Sequence, residues 1–276
     1  MEKVTVPEII ARKGGTKIAM ITAYDTPTAR IADRAGADII LVGDSIGNVV
    51  YGHDDTLPVT VDIMVRHTAA VSRATPRALV VGDMPWLSYH LSTQDTIRNA
   101  ARFLVEGHAD AVKLEGGRKR IPMVEALLSS EIPVMGHIGL TPQSVHVMGG
   151  FRVQGKFAEA ARELLDDARA LAAAGVFALV LEGIPDVLAA AITEAISVPT
   201  IGIGAGPQCD GQVLVFHDVL GLGDRKPAKF VRQYAHLADD ATAAVSRFFD
   251  DVRSGAFPSE AETYHMPAED AKAFKR

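Results

Sequence analysis

A short apolar run that keeps returning is the feature that most constrains this chain. Eight such runs lie at 17–24, 38–42, 78–81, 109–114, 132–135, 177–181, 198–203 and 212–216, and Gly or a polar residue follows each. They are rich in Val, Ile, Leu and Ala and mostly do not alternate, as strands buried on both faces should read. Helical patterns separate most of them, at 26–35, 61–73, 93–106, 123–130, 157–174 and 185–196. Thr93 stands at the head of the third pattern, and Gly36, Gly107 and Gly175 stop three of them. This alternation predicts an α/β fold, a closed parallel (β/α)8 TIM barrel, as a single domain over 1–276. An open doubly wound sheet is the alternative, but no Gly-x-Gly-x-x-Gly follows the first strand. The join between Ile203 and Gln212 is too short for a crossover helix of about 10–12 residues, so a Gly-rich loop or one helical turn is expected. Residues 228–253 read as a long amphipathic C-terminal helix, and 258–276 as a polar tail that is a candidate for mobility.

Composition serves mainly to exclude. With 48% hydrophobic and 22% charged residues, the chain is globular rather than disordered. A formal net charge of −6, with no basic and aromatic interleaving, argues against nucleic acid and acidic membranes as partners. No stretch approaches the roughly 18 uninterrupted apolar residues of a membrane span. Residues 1–12 carry scattered charges and no long apolar core of a secretory signal. The single cysteine, Cys209, rules out an internal disulfide framework and suits a reducing compartment. The expectation is a cytoplasmic protein.

In such barrels the chemistry gathers at the carboxyl ends of the strands. The residues closing the runs are Asp25, Asp44, Asp83, Glu115, His137, Glu182, Gly204 and then His217 with Asp218. This reads as a concentration of carboxylates on one rim. Asp44 closes IILVGD, Asp83 closes ALVVGD and Glu115 closes AVKLEG, so the three are expected to be neighbours. Their charges would repel and raise one another's pKa unless a cation sat among them, and a hard ion such as Mg2+ suits that donor set. Any one of them could instead cap the next helix; three at consecutive strand ends favour metal or substrate.

Lys113 stands two residues before Glu115, so both side chains share a strand face, expected to be the barrel interior. An ammonium there needs an anion: a substrate carboxylate, the metal-site acids or a structural aspartate. Glu182 closes FALVLEG apart from that trio, as a base with a raised pKa or as a cap on the helix near Pro185. His137 could polarise an oxygen or donate to a substrate carboxylate, or simply bond backbone. His53, His67, His90, His108, His146 and His236 lack a supporting constellation and read as surface or loop residues. His217 and Asp218 are placed to orient neighbours. Cys209 has no base predicted near it. The Gly-rich stretch 202–206 either binds an anion through its amides or makes a tight strand exit.

Five long motifs carry a family resemblance: DSIGNVVYGHDDTLPVTVDIMVRHT (44–68), VKLEGG (112–117), GHIGLTPQSV (136–145), GGFRVQG (149–155) and IGIGAGPQCDGQVLVFHD (201–218). In order and over nearly the whole chain, they resemble ketopantoate hydroxymethyltransferase. The resemblance implies a Mg2+-binding (β/α)8 barrel, commonly a homodecamer. Its reaction is an aldol-type transfer of a one-carbon unit from 5,10-methylenetetrahydrofolate to the keto acid 3-methyl-2-oxobutanoate, in pantothenate biosynthesis. By motif match, the family's metal-site acids fall on Asp44, Asp83 and Glu115. Its keto-acid contacts fall on Asp44, Ser45, Asp83 and Lys113, and its proton acceptor on Glu182. His146, Trp86, the basic segment 118–122 and the tail depart from the family pattern, all outside those positions. Two other readings compete. A phosphoenolpyruvate mutase or isocitrate lyase-like enzyme commonly carries a reactive Cys in a Lys-Lys-Cys-Gly-type loop, which is missing here. A catalytically silent metabolite-binding barrel would be expected to have lost one of the acids, and all are present.

Overall fold

All eight apolar runs form strands, and the strands close on themselves. The structure is a computed structural model and describes residues 2–75, 77–223 and 226–274. In chain order the elements begin α1 (Val6–Ala11), β1 (Ile18–Thr22), α2 (Thr26–Arg34), β2 (Ile39–Val42), α3 (Ile46–Val49), α4 (Val61–Ser72) and β3 (Leu79–Asp83). They continue with α5 (Thr93–Val105), β4 (Ala111–Glu115), α6 (Ile121–Ser129), β5 (Val134–Gly139), α7 (Val145–Met148), α8 (Ala158–Ala174) and β6 (Ala178–Glu182). The last are α9 (Asp186–Ala195), β7 (Thr200–Ile203), β8 (Gly211–Leu214), α10 (Phe216–Leu220), α11 (Leu237–Ser254) and α12 (Ala268–Phe274). Every neighbouring pair is parallel, and β8 pairs with β1 from Ile18↔Gly211 to Ile21↔Leu214. That last pairing excludes the open doubly wound sheet.

Alternation along each strand divides the apolar core in two. Ile18, Met20, Ile39, Leu41, Val81, Ala111, Met135, Val180, Ile201 and Val213 fill the barrel interior. Their neighbours, such as Val80, Val112, Leu114, Leu179 and Leu181, point outward and pack under the helices. Gly82 shows how tight that second layer is: a Cβ there would come within 2.4 Å of the Phe103 ring on α5. Below the barrel, α1 acts as a plug, with Ile9 fully buried in the interior cluster. Ion pairs tie that floor together: Lys3–Asp110 at 2.7 Å, Arg12–Asp38 at 2.8 Å and Lys13–Asp210 at 2.9 Å.

Some expectations need correction. Ser92, not Thr93, caps α5, its Oγ accepting from Asp95 N at 3.1 Å. The C-terminal helix begins nine residues later than 228, at Leu237. The apolar spacing continues upstream, but Tyr234 N is committed to Val219 O at 2.8 Å and the Phe230 ring packs beneath Gly204. The tail from 258 carries a 3-10 turn at Glu260–Glu262 and the short α12; Lys275 and Arg276 lie outside the described residues. The join from β7 to β8 holds no helix, as expected.

That missing crossover leaves a mark. Among the described residues no helix covers the outward side chains of β1 and β8, and Ala19 and Gln212 are exposed while Ile21 and Leu214 are only half-buried. A cavity of about 810 Å³ opens there, reaching Phe230 and Tyr234. Helix α11 buries none of its residues, and Val245, Phe248, Phe249 and Val252 stay about half exposed. No described helix is long and apolar enough to cross a membrane.

Candidate active site

The strand register decides which polar side chains meet at the mouth. Asp83 on β3 is level with Lys113 on β4, Glu115 with His137 on β5, and Gly139 with Glu182 on β6. Each of these side chains takes an inward position in the alternation that fills the barrel below. Asp44, just past β2, swings its backbone N–H onto Asp83 Oδ2 at 3.1 Å. The predicted shared face of Lys113 and Glu115 is therefore the barrel interior. Asp44, Asp83, Lys113, Glu115 and His137 are all buried, none more than 4% exposed. Together with Ser45 and Glu182 they line one cavity of about 100 Å³, closed on its apolar side by Leu41, Val180 and Val213.

Within the cavity Lys113 is the central cation. Its Nζ lies 2.9 Å from Asp83 Oδ1, 3.3 Å from His137 Nδ1 and 4.0 Å from Glu115 Oε1. His137 bridges two acids, with Nδ1 3.4 Å from Glu115 Oε1 and Nε2 3.2 Å from Glu182 Oε2. Burial works against the Lys113 ammonium, yet Asp83, Glu115 and Asp44 outweigh it and lift its pKa. Burial and the neighbouring carboxylates push Asp44 well above the usual carboxylate range. Asp83 moves the same way, burial outweighing Lys113. Glu115 goes the other way: its burial is overcome by His137 and Lys113, which hold it below the ordinary value. Burial and Lys113 oppose charge on His137, but Glu115 and Glu182 raise it to about 9.

This donor set suits a small hard cation. Among the described residues no aligned hydrogen bond reaches the buried Asp83 Oδ1 or Glu115 Oε1, whose nearest cations are Lys113 at 2.9 Å and His137 at 3.4 Å, respectively. Such atoms are costly to bury unless something binds them. Among the described residues, no three His, Cys, Asp or Glu side chains already converge on one point. The Lys113 ammonium stands between the acids instead. Mg2+ does not need such convergence, since it keeps several waters and takes one or two carboxylates plus substrate oxygens.

Sequence reasoning missed two residues behind the acids, Gln143 and Tyr89. Gln143 Nε2 donates to Asp44 Oδ2 at 2.9 Å and to the Met84 carbonyl at 3.0 Å, while its backbone N–H donates to Glu115 Oε2 at 3.1 Å. Tyr89 Oη donates to Gln143 Oε1 at 2.5 Å and accepts from Glu115 N at 3.2 Å. Neither residue closes a strand, which was the signal used to select the others.

Other candidates resolve into structural roles. Asp25 caps α2, accepting from Thr28 N at 2.8 Å. His67 ties α4 to the Tyr24 carbonyl and to Tyr51 Oη. Gly204 and Gly206 have positive φ, and added Cβ atoms would strike Phe230 and Asp186, so the 202–206 stretch is a tight strand exit. Cys209 is buried at the floor, and burial pushes its thiol pKa up, opposite to what a nucleophile needs.

A family model for ketopantoate hydroxymethyltransferase matches residues 3–260. A 3-methyl-2-oxobutanoate hydroxymethyltransferase from Syntrophobacter fumaroxidans is 56% identical over 270 residues, covering 98% of this chain and 96% of that one. The second enzyme of that name from Bradyrhizobium diazoefficiens is 58% identical over 268 residues, covering 97% and 91%. Among solved structures, 2,3-dimethylmalate lyase, a phosphoenolpyruvate mutase/isocitrate lyase superfamily member, superposes with TM-score 0.60 at 17% identity, covering 94% and 92%. Phosphonopyruvate hydrolase in complex with oxalate and Mg2+ gives TM-score 0.61 at 13% identity, covering 100% and 95%. At such identities these two structures speak for the fold alone.

Proposed function

The chain belongs to the ketopantoate hydroxymethyltransferase family, and we propose that its barrel mouth performs that reaction with Mg2+ and 5,10-methylenetetrahydrofolate. It is a transferase acting on 3-methyl-2-oxobutanoate, an enzyme of pantothenate biosynthesis. The observation that carries the site assignment is that Asp44, Ser45, Asp83, Lys113, Glu115, His137 and Glu182 line one small cavity.

Asp44, Asp83 and Glu115 would hold Mg2+. When bound, the ion supplies a Lewis acid that stabilises charge developing on the keto oxygen. Lys113 and Ser45 hold the substrate carboxylate; Ser45 Oγ is itself fixed 2.8 Å from Tyr24 Oη. Glu182 is the base. Half-buried at the end of β6, it faces the cavity and takes the C3 proton of the keto acid. His137 supports it from 3.2 Å. Water releases the methylene unit from the folate at the formaldehyde level, leaving tetrahydrofolate. The carbon that has lost its proton attacks that one-carbon unit, and its oxygen takes up a proton to become the hydroxymethyl group. The apolar wall of Leu41, Val180 and Val213 suits the isopropyl end of the substrate.

The same reading takes the chain as one catalytic domain in the cytoplasm, forming a homo-oligomer that is decameric by family resemblance. The half-exposed Phe248, Phe249 and Val252 on α11 support assembly, because apolar side chains at helical spacing need a partner surface. Sedimentation of the wild type against Phe249→Asp tests this, with a smaller species expected for the variant. The chemistry is tested by proton NMR of 3-methyl-2-oxobutanoate in D2O with the protein, Mg2+ and tetrahydrofolate, and no one-carbon donor. The C3 signal should disappear, and a chelator should stop its loss. A C3 signal that persists in the presence of folded protein would sink the assignment of substrate or base.

A further inference from the structure

The hydrogen bonds around Gln143 leave no freedom in how its amide points. Two acceptors, the Asp44 carboxylate and the Met84 carbonyl, both face one end of the side chain, so that end carries the NH2 group. The other end is then the carbonyl and needs a donor. The buried Tyr89 hydroxyl supplies it, while its own lone pair takes the Glu115 N–H. The backbone N–H of Gln143 closes the circuit on Glu115 Oε2. One residue on the turn after β5 thus grips acids brought from β2 and β4. Each grip uses a single oxygen, Oδ2 of Asp44 and Oε2 of Glu115, while Glu115 Oε1 faces His137 Nδ1 at 3.4 Å and Lys113 Nζ at 4.0 Å with no aligned hydrogen bond among the described residues.

We propose that Gln143, backed by Tyr89, fixes Asp44 and Glu115 so that each offers one oxygen to a cation, and thereby sets the site's preference for Mg2+ over Ca2+. This rests on the proposed metal role of those two acids. The physical reason is coordination. Ca2+ takes six to eight oxygens and often uses carboxylates bidentately, whereas Mg2+ requires a near-ideal octahedron and is served by single carboxylate oxygens and water. A carboxylate oxygen that accepts an amide N–H keeps one lone pair free, but the bond fixes the group's orientation, so turning both oxygens symmetrically to an ion strains that bond. Gln143 and Tyr89 are positioning residues: they touch the acids, not the reacting atoms. Outer partners of this kind typically change metal affinity about 10–100-fold when removed.

The test is calorimetric titration of metal-free protein with MgCl2 and with CaCl2, each with and without 3-methyl-2-oxobutanoate. Gln143→Met keeps the side-chain volume and the backbone N–H but loses the amide. It should weaken Mg2+ binding by about 10–100-fold and Ca2+ binding by less, so the Mg2+/Ca2+ affinity ratio falls. Tyr89→Phe frees the far end of the Gln143 amide and should move the ratio the same way by a smaller factor. A merely structural role would lower the melting temperature and leave the ratio alone. An unchanged ratio in Gln143→Met overturns the proposal, and if that variant does not fold, an unchanged ratio in Tyr89→Phe overturns it. Wild-type protein that takes up neither cation with the keto acid present would overturn the metal reading itself, before any substitution is made.

Discussion

Two lysine–aspartate pairs, each at 2.9 Å, sit at opposite ends of the barrel and behave in opposite ways. At the floor, Asp210 takes Lys13 and the Thr200 N–H on Oδ2 and the Gly14 N–H on Oδ1. Its burial is outweighed by those donors, and its pKa is held below the ordinary aspartate value. At the mouth, Asp83 has Lys113 and one backbone N–H, but Glu115 stands nearby and burial prevails, so its pKa is raised. The distance of the ion pair is the same; the balance between burial and the count of donors and like charges decides the sign. The floor acid is a finished structural element. The mouth acids hold unspent acceptor capacity, which is what a ligand site requires.

The sharpest way to separate the two ends is through the chemistry. Glu182→Gln should slow C3 proton exchange by about 10²–10⁴-fold, the usual contribution of a general base. Asp210→Asn should leave that rate unchanged per folded molecule. Exchange followed by NMR on both variants, normalised to folded protein, checks the contrast, and near-wild-type exchange in Glu182→Gln breaks it.

Stability gives the next contrast. Lys113→Met strands buried Asp83 and Glu115, and removing one partner of a buried ion pair costs about 3–5 kcal/mol. Added Mg2+ should recover part of that loss, because a second cation can take the place the ammonium left. Lys13→Met at the floor should cost about 1–3 kcal/mol, with no recovery on adding Mg2+. Denaturant melts of both variants with and without the ion decide whether the mouth is the end that awaits a cation.

The smallest contrast lies in pH. Asp210 has a folded pKa below its unfolded one, so its stabilisation is full above the ordinary aspartate value and fades as pH falls through the lowered one. Asp83 and Asp44 have raised folded pKa values, so without metal their effect is reversed: protonation relieves the fold, and stability declines as pH rises through those values. Melting temperatures of metal-free Asp210→Asn against wild type should therefore converge at strongly acid pH and diverge toward neutrality. Parallel curves at all pH values would remove Asp210 from the account.

This comparison also shows how far the sequence could be read. A strand's last inward residue is visible as the polar group that ends an apolar run, so Asp44, Asp83, Glu115, His137 and Glu182 are legible, and Lys113 follows from its two-residue spacing to Glu115. The claim that acids concentrate on one rim was not sound. Asp38, Asp110 and Asp210 stand at strand starts and make ion pairs at the floor. What distinguishes the ends is pairing in space, which no one-dimensional pattern carries. Gln143 is the clearest case: its partner Asp44 is 99 residues away, and a neutral amide in a turn has no periodicity to betray it. Asp25 ends a run just as Asp44 does, yet its carboxylate turns back onto Thr28. Helix α11 was drawn too long because amphipathic spacing runs on through 228–236, where tertiary packing of Phe230 prevails over helical continuation.

The pairing of Ile18 with Gly211 has a consequence during synthesis. At about 5–20 residues per second, a ribosome needs roughly 10–40 s between making the first strand and making its last partner. Throughout that interval the nascent sheet has two bare edges, one at each end of its strand order, open to pairing with another copy. The fold is thus exposed to a race between translation and self-association, and slow codons placed after 177–181 would lengthen the dangerous interval.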